Sequence, residues 1–404
     1  MKNICILVRN HPFGVLEAFG RMVADGLRRN GAEVVLVDVT SKDAAVRLRA
    51  LSEAERIDLV LAINPSPMTA RLNDRSLFSL IDARFGILLL DNPIYLMREI
   101  TPLLPEMPDG SVFLTVDALH CRQLRVHLGR QHPGRFSTVF MPYGGPPSMP
   151  LSRPQSIEKP FDLAVFATLD QQISAEFRRS DDYRGAFPRI AHPLPADRIA
   201  DIERRAVAMV EMGYSLDPVD AVAEVLGSDD VMSNPAHLAV AQVFDSYLKR
   251  YRRLAVLRAL MADARTRAMK FAIFGTGWDR LGELPANWKI FGPSPYERQF
   301  EVFRHSRFVL NTDPNWTRGV HDRVFNAMAA LCVPVTNRNL YTDVHLDDGR
   351  NCVLYERAGD VPERIAANLG RWADLAQAGL TEFRLNFTWQ DRCRPLLNWL
   401  DLNP

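Results

Sequence analysis
The sequence predicts an α/β protein of two doubly wound, Rossmann-like domains, the second carrying a helical insertion. Three observations carry that expectation. Near-continuous apolar strands alternate with amphipathic helices over residues 1–143, as in a parallel sheet covered on both faces. The run GGPPSMPLSRPQSIEKP, residues 144–160, then sets prolines and small residues where neither a helix nor a central strand can continue, which marks a boundary. From Phe161 the alternation resumes and runs to Tyr355.

Taken in order, the first six strands are expected at residues 4–8, 34–39, 59–63, 86–90, 112–116 and 138–141, with helices at about 14–30 and 118–128 among those between them. The second set is expected at residues 161–167, 271–274, 289–291, 308–310, 333–336 and 353–355. Between about 195 and 267 lies the insertion, whose Leu254, Leu257, Leu260 and Met261 recur at helical spacing and read as core packing. The closing TWQDRCRPLLNWLDL reads as a helix whose Leu396, Leu397, Trp399 and Leu400 must find cover. The domains are accordingly set at 1–150 and 160–385, with a final helical segment at 386–404. A length of 404 residues exceeds what one hydrophobic core usually organises, which agrees with two domains.

A composition of 47% hydrophobic and 24% charged residues excludes a disordered or fibrous chain. The formal charge of +1 gives no global pull toward nucleic acid or anionic membrane, so no nucleic-acid partner is expected; Lys249, Arg250, Arg252 and Arg253 are left as a local docking patch. Cys5, Cys121, Cys332, Cys352 and Cys393 form no Cys-x-x-Cys pair and read as reduced core residues. The opening MKNICILVRN is too brief for a signal-peptide core or a membrane span, so the cytoplasm is expected, at a membrane's inner face if an acceptor lies there. Self-association is left open.

The most informative stretch is RFVLNTDPNWTRGVHDRVFNAMAALCVPVTNRN, residues 307–339: a strand, a polar loop over 311–319, a helix over 320–331 and a second strand. His321, Asp322 and Arg323 open that helix, where backbone N–H groups and the positive end of the helix dipole favour an anion. With Arg318 and Arg323 beside it, the corner suits a diphosphate.

Other loops at strand ends offer polar groups. In FGTGWD the glycines Gly275 and Gly277, with Thr276 and Trp278, follow a strand where amides meet phosphate, but Arg280 stands where a dinucleotide fingerprint needs its third glycine, which disfavours NAD. Phe291 and Gly292 end the next strand, where a base can stack or bond to backbone; ordinary turn chemistry explains the glycine equally well. In the first half, Asn10, His11 and Gly14 follow the first strand, with His11 either an acid/base group or a helix cap. Asp91 and Asn92 end the fourth strand, either orienting an acceptor or forming an Asx turn. At the next strand's end His120 is a second acceptor candidate and Asp117 a helix cap.

There is no His-Glu-x-x-His, no Cys/His cluster at zinc spacing, no Walker lysine loop and no Gly-x-Ser-x-Gly elbow, so no metal site is expected and ATP hydrolysis or serine esterase chemistry is disfavoured. Sugar transfer fits, since its leaving diphosphate gains charge that cationic donors stabilise.

The blocks HDRVFNAMAALCVPVTN, NCVLYE and FTWQDRCRPLL resemble glycosyltransferases of the GT-B fold, in particular the CgeB-like group of family-1-type enzymes, most clearly over residues 269–397. That resemblance implies two Rossmann-like domains facing a cleft, with no cofactor beyond a nucleotide-sugar co-substrate and no metal. It implies a donor held mainly by the second domain, an acceptor (glycan, lipid-linked or protein) held mainly by the first, and a last helix returning to the first. Carried over, His321, Asp322, Arg323 and Asn326 are expected at the diphosphate and ribose, and Gly275, Thr276, Gly277, Trp278, Phe291 and Gly292 at base or phosphate. His11, Asp91 and Arg318 are the catalytic candidates, and Asn10, Gly14, Asn92 and His120 those for the acceptor. Many retaining relatives place two glutamates eight positions apart; here Arg318 and Asn326 stand at those places. A nucleotide-sugar hydrolase or epimerase and a catalytically silent binding protein are the alternatives.

Overall fold
The computed structural model describes residues 1–53, 57–146, 157–169, 196–228, 230–313 and 315–403. Much of the proline-rich junction and the start of the expected insertion lie outside them. The chain forms two compact units: Met1–Ser148 with Pro295–Glu297 and Asn386–Pro404, and Met149–Ser294 with Arg298–Leu385.

Unit 1 is built on strands β1 (Asn3–Val8), β2 (Glu33–Asp38), β3 (Leu59–Ile63), β4 (Arg84–Leu89), β5 (Ser111–Thr115) and β6 (Phe136–Phe140), all parallel in the order β2-β1-β3-β4-β5-β6. Every residue of β3 and β5 is buried, as apolar strands covered on both faces require. Helices α1 (Val15–Arg29), α2 (Ala44–Ser52), α3 (Pro93–Ile100) and α4 (Ala118–Gln131) connect them.

Unit 2 repeats the plan with β7 (Phe161–Phe166), β8 (Phe271–Phe274), β9 (Trp288–Phe291), β10 (Ser306–Leu310), β11 (Val333–Asn337) and β12 (Val353–Tyr355), parallel in the order β9-β8-β7-β10-β11-β12. Its insertion comprises α5 (Ala196–Glu211), α6 (Pro218–Leu226) and α7 (Pro235–Ala262), and α8 (Arg298–Arg304), α9 (Asp322–Ala329), α10 (Val361–Asn368) and α11 (Trp372–Asn386) follow. Asp217 and Asn234 cap α6 and α7 by accepting from the free amides of the first turn, ahead of prolines at the helix start. Leu254, Leu257 and Leu260 of α7 pack on the sheet with Leu163, Ile273 and Val335, as their spacing predicted.

The basic run on α7 is not a docking patch. Arg250, Arg252 and Arg253 are buried, and Arg252 donates to the carbonyls of Val210 and Glu356 while Lys249 pairs with Asp245 at 2.8 Å. A buried guanidinium is tolerable only because such acceptors satisfy it. In unit 1 the last helix, α12 (Trp389–Leu402), lies against α1: a Cβ on Gly26 would stand 2.6 Å from the Trp389 carbonyl, so glycine alone permits the approach. All five cysteines are buried and free.

Candidate functional site
In unit 2 the chain winds outward in both directions from the adjacent pair β7 and β10, and sheets of this kind bind ligands beyond the carboxyl ends of the strands at that switch point. Loops leaving β8, β9 and β10 share this edge and carry Thr276–Gly277, Gly292 and Arg318–His321 respectively.

The loop after β10 is an exposed tip on a buried polar scaffold. Arg318 is exposed, whereas Asn311, Thr312, Asp313, Asn315 and Trp316 are buried. Asn311 donates to Thr336 Oγ1 at 3.0 Å and accepts from Arg323 Nη1 at 2.9 Å; its carbonyl accepts from the Tyr355 hydroxyl at 2.8 Å. Asn315 donates to the Asp245 carboxylate and carbonyl, both at 2.8 Å. Asn339, just beyond β11, donates to the carbonyls of Trp316 and Gly319 at 2.7 and 2.9 Å while its Oδ1 accepts from Tyr341 N and Thr342 N. Each amide thus fastens the loop to a different element and leaves Arg318 at the tip.

Asp313 is the charged centre of this scaffold, 3.2 Å from Arg253 Nη2 and 3.7 Å from Arg323 Nη1. Burial by itself would push its carboxyl up, but the charges of His321, Arg253, Arg323 and Lys249 outweigh that and hold it well below the usual carboxylate range.

His321 caps α9. Its Nδ1 lies 2.5 Å from Asp322 Oδ1 and 3.3 Å from Arg323 N, and one nitrogen cannot donate to the first and accept from the second. The shorter contact, to a carboxylate, requires a proton, so Nδ1–H donates to Asp322 and the amide contact is secondary. Asp322 thereby fixes the tautomer and places the ring's chemistry on Nε2. The imidazole is 31% exposed, against 3% for Asp322.

Several donor residues take other roles than expected. Arg323 is buried and engaged by Asn311 and Asp313, so it holds the loop rather than presenting a free fork to phosphate. Asn326 is fully buried and donates to Asp322 Oδ2 at 2.8 Å, one turn back along its own helix, so its amide does not reach a ribose. Asp322 is spent on His321 and Asn326. Trp278 packs into the hydrophobic core of unit 2, because an indole gains more there than at a polar edge.

The turn after β8 is built for close approach. Gly275 has φ +121°, and a Cβ there would fall 2.0 Å from the Ala167 carbonyl oxygen, so no other residue fits. Its N–H donates to the Phe291 carbonyl at 3.3 Å and is not offered to a phosphate; Thr276, exposed, and Gly277, with φ +82°, form the outward part of the turn. Phe291 stacks on Phe274 at 4.8 Å, and Phe274 on Phe166 at 4.4 Å, giving an aromatic ladder across β9, β8 and β7 that ends on half-buried Phe291 of the edge strand. Gly292 beside it is exposed.

In unit 1 the loops after β1, β4 and β5 also share one sheet edge. His11 is partly exposed, and its Nδ1 accepts from Phe13 N at 3.4 Å, so the neutral ring carries its proton on Nε2. It does not cap α1: Gly14, at φ +66°, occupies that position, and no side chain supplies the cap. Asn10, exposed, donates its N–H to Thr40 Oγ1, and Tyr296 N bonds the Phe13 carbonyl at 2.9 Å. Asp91 is exposed beyond β4, while Asn92 is buried and caps α3 through Ile94 N. His120 is 1% exposed, which withdraws its ring from any acceptor, and Asp117 caps α4. Sequence reasoning passed over Asn64, which follows β3 with φ +60° and accepts from Leu90 N, and the scaffold residues Asn311, Asp313, Asn315 and Asn339. The alternation N-x-D-x-N in residues 311–315 was the available signal.

Among the described residues no group of three or more His, Cys, Asp or Glu side chains is placed to hold a metal ion, and no helix is long and apolar enough to cross a membrane. Residues 252–398 match the family profile described as glycosyl transferase-like. No curated protein matches the sequence. Among solved structures, the chain is similar to an α-glucosyltransferase in complex with UDP and a 13-mer DNA containing an HMU base, at TM-score 0.55 and 11% identity, covering 100% of this chain and 99% of that one. It is similar to the DNA-modifying enzyme β-glucosyltransferase at TM-score 0.51 and 12% identity, covering 99% and 98%. Sucrose-phosphate synthase from Thermosynechococcus elongatus matches at TM-score 0.50 and 9% identity, covering 100% and 99%. At such identities these likenesses establish the fold, which is GT-B.

Proposed function
We propose that the protein is a glycosyltransferase that takes its sugar from a nucleotide-sugar donor held at the carboxyl edge of the unit 2 sheet. The observation that carries this reading is a coincidence of place: the glycosyl transferase-like match spans the loop and helix start at the switch point between β7 and β10. The two glucosyltransferases of similar fold are described with UDP or uridine diphosphoglucose, which supports a nucleoside diphosphate as the leaving group here.

On this reading the diphosphate lies among the Thr276–Gly277 turn, the α9 N-terminus, Arg318 and His321, with Phe291 as the platform for the base. As the bond from the anomeric carbon to phosphate breaks, charge grows on the phosphate oxygen. Arg318 and a protonated His321 Nε2 are the groups to meet it, His321 being held in register by Asp322. No metal is invoked in this scheme. His11 is the acid/base candidate toward the acceptor hydroxyl and Asp91, exposed beyond β4, a second one; as a base, His11 takes the proton on Nδ1 once that nitrogen has released the Phe13 N–H, and keeps its Nε2 proton. The acceptor is a glycan, lipid-linked or protein hydroxyl, and the reaction is placed in the cytoplasm.

A panel of UDP, GDP, TDP and CMP sugars tests the proposal by thermal shift and by nucleotide release with and without EDTA. One donor class should raise the melting temperature and release nucleoside diphosphate at an EDTA-insensitive rate once an acceptor extract is added. A panel with no thermal response and no release contradicts it.

A further inference from the structure
We infer that unit 2 carries a second binding site, for a neutral oligosaccharide, in the cavity between the turn that closes α5 and the carboxyl ends of β11 and β12. It goes beyond the transferase reading, which puts the reacting acceptor hydroxyl with His11 in unit 1, and does not rest on it. The cavity encloses about 510 Å³ and is lined by Tyr214, Thr317, Arg338, Leu340, Asp343 and Glu356 among others. That volume lies in the range of small-molecule sites.

Its wall is built rather than incidental. Gly213 has φ +96°, and a Cβ there would stand 3.0 Å from both Cβ and the carbonyl oxygen of Glu356, so glycine lets the turn press onto the end of β12. Ser215 Oγ then donates to the Arg338 carbonyl and accepts from Asn337 Nδ2, each at 3.2 Å, pinning the same turn to β11. A turn held at both ends keeps Tyr214 outward: it is 59% exposed, with Leu340 at 60% and Met212 at 51% beside the same cavity. Three large apolar side chains at one rim form a patch of the kind that marks a binding surface.

The polar lining selects the ligand. Arg338 is met by Asp343 at 3.0 Å, Asp348 at 2.8 Å and Glu356 at 3.6 Å, and Arg364 also pairs with Asp348, so three carboxylates face two guanidinium groups and one negative charge is left over. Asp343 and Glu356 keep 47% and 61% of their side-chain surface exposed. A surplus of carboxylate repels phosphate, so this is not a second donor site. It suits sugar hydroxyls, which donate to carboxylates, while the apolar face of a pyranose lies on the Tyr214 ring. Thr317, whose buried hydroxyl has no hydrogen-bond partner among the described residues, lines the cavity, and its carbonyl accepts from Leu340 N at 3.2 Å. The same loop carries Arg318 as its next residue, so a saccharide here lies beside the donor corner.

Saturation-transfer NMR on the full chain with cellotetraose, maltotetraose, chitotetraose and a tetrasaccharide of uronic acids tests the site. At least one neutral tetrasaccharide should receive saturation, and the transfer should fall at least fivefold in Tyr214→Ala and clearly in Glu356→Gln, with the thermal response to UDP unchanged in both. No transfer to any neutral probe, undiminished transfer in Tyr214→Ala, or preference for the acidic tetrasaccharide would overturn the inference. A chain that shows the saccharide signal but no response to any nucleotide sugar would instead remove the transferase reading and leave this site standing.

Discussion

Replacing Asp313 by asparagine removes the charge on which the donor loop is centred while preserving its shape. In the native protein the carboxylate faces Arg253 at 3.2 Å and Arg323 at 3.7 Å, all three groups buried. At an effective dielectric constant of about 20, a pair of unit charges at the shorter of these distances attracts by roughly 5 kcal/mol, most of it offset by the cost of burying both ions. Deleting one partner leaves that cost uncompensated, typically at about 3–5 kcal/mol. Because an asparagine oxygen still accepts one bond, a loss of about 3 kcal/mol is expected near neutral pH. Denaturant unfolding followed by tryptophan fluorescence measures it, since Trp278, Trp288, Trp316 and Trp372 all report on unit 2. The pH dependence carries a definite sign. The folded carboxyl lies below its ordinary value, so its stabilisation is fully present above the usual carboxylate pKa and is lost as pH falls toward the folded value. The gap between parent and variant should therefore be widest near neutrality and narrow in acid. A gap under about 1 kcal/mol at pH 7, or one that widens on acidification, refutes the reasoning.

Arg318→Ala should weaken nucleoside diphosphate binding by about tenfold or more, the loss of one charge-assisted bond, without changing the melting temperature; calorimetric titration decides, and equal affinity takes Arg318 out of the site. For His11→Ala the expected change is a fall in turnover of about 10²-fold or more at nearly constant donor affinity, and a variant as active as the parent leaves His11 as a loop residue only. Gly275→Ala forces a Cβ to within 2.0 Å of the Ala167 carbonyl at φ +121°, so it should lower stability and donor affinity together; intact thermal stability contradicts the close approach. Lys159, whose ammonium donates to the carbonyls of Ser306 and Leu331, is held down to about 8 by burial, partly countered by Cys332 and reinforced by Arg304. Between that value and the unfolded value of 10.5 the unfolded chain binds more protons, so the parent should gain on Lys159→Met by at most about 3 kcal/mol as pH rises through this window. Chemical denaturation of both at pH 7.5 and 10 measures the difference, and a parent that loses ground with rising pH contradicts the burial.

The sequence was most legible where a pattern is local. Strands such as Leu59–Ile63 and Phe271–Phe274 lie where their apolar runs place them, since a strand buried on both faces leaves little freedom in composition. Asp117 caps its helix, because capping needs only residues within one turn. What failed was inference about which polar side chains of the expected donor site face solvent. Asn326 lies one turn from the site in sequence, but that spacing pairs it with Asp322 inside the helix. Arg323 and the run from Lys249 to Arg253 look like solvated charge until partners distant in the chain are known: Arg253 meets Asp313, 60 positions away, and donates to the Thr168 carbonyl, 85 positions away. His120 and Trp278 were misplaced for the same reason. Periodicity shows that a helix or turn is present, whereas burial depends on what packs against it. The turn at Tyr214 and the Asn339 clasp gave no isolated motif, since each acts through carbonyl oxygens that every sequence supplies.

The structure of a complex with a nucleoside diphosphate tests the central claim most directly. The account predicts phosphate oxygens within hydrogen-bond distance of the Thr276–Gly277 turn and of His321 or Arg318, with the base against Phe291. A diphosphate bound in the Tyr214 cavity, or on the loops of unit 1, would contradict it.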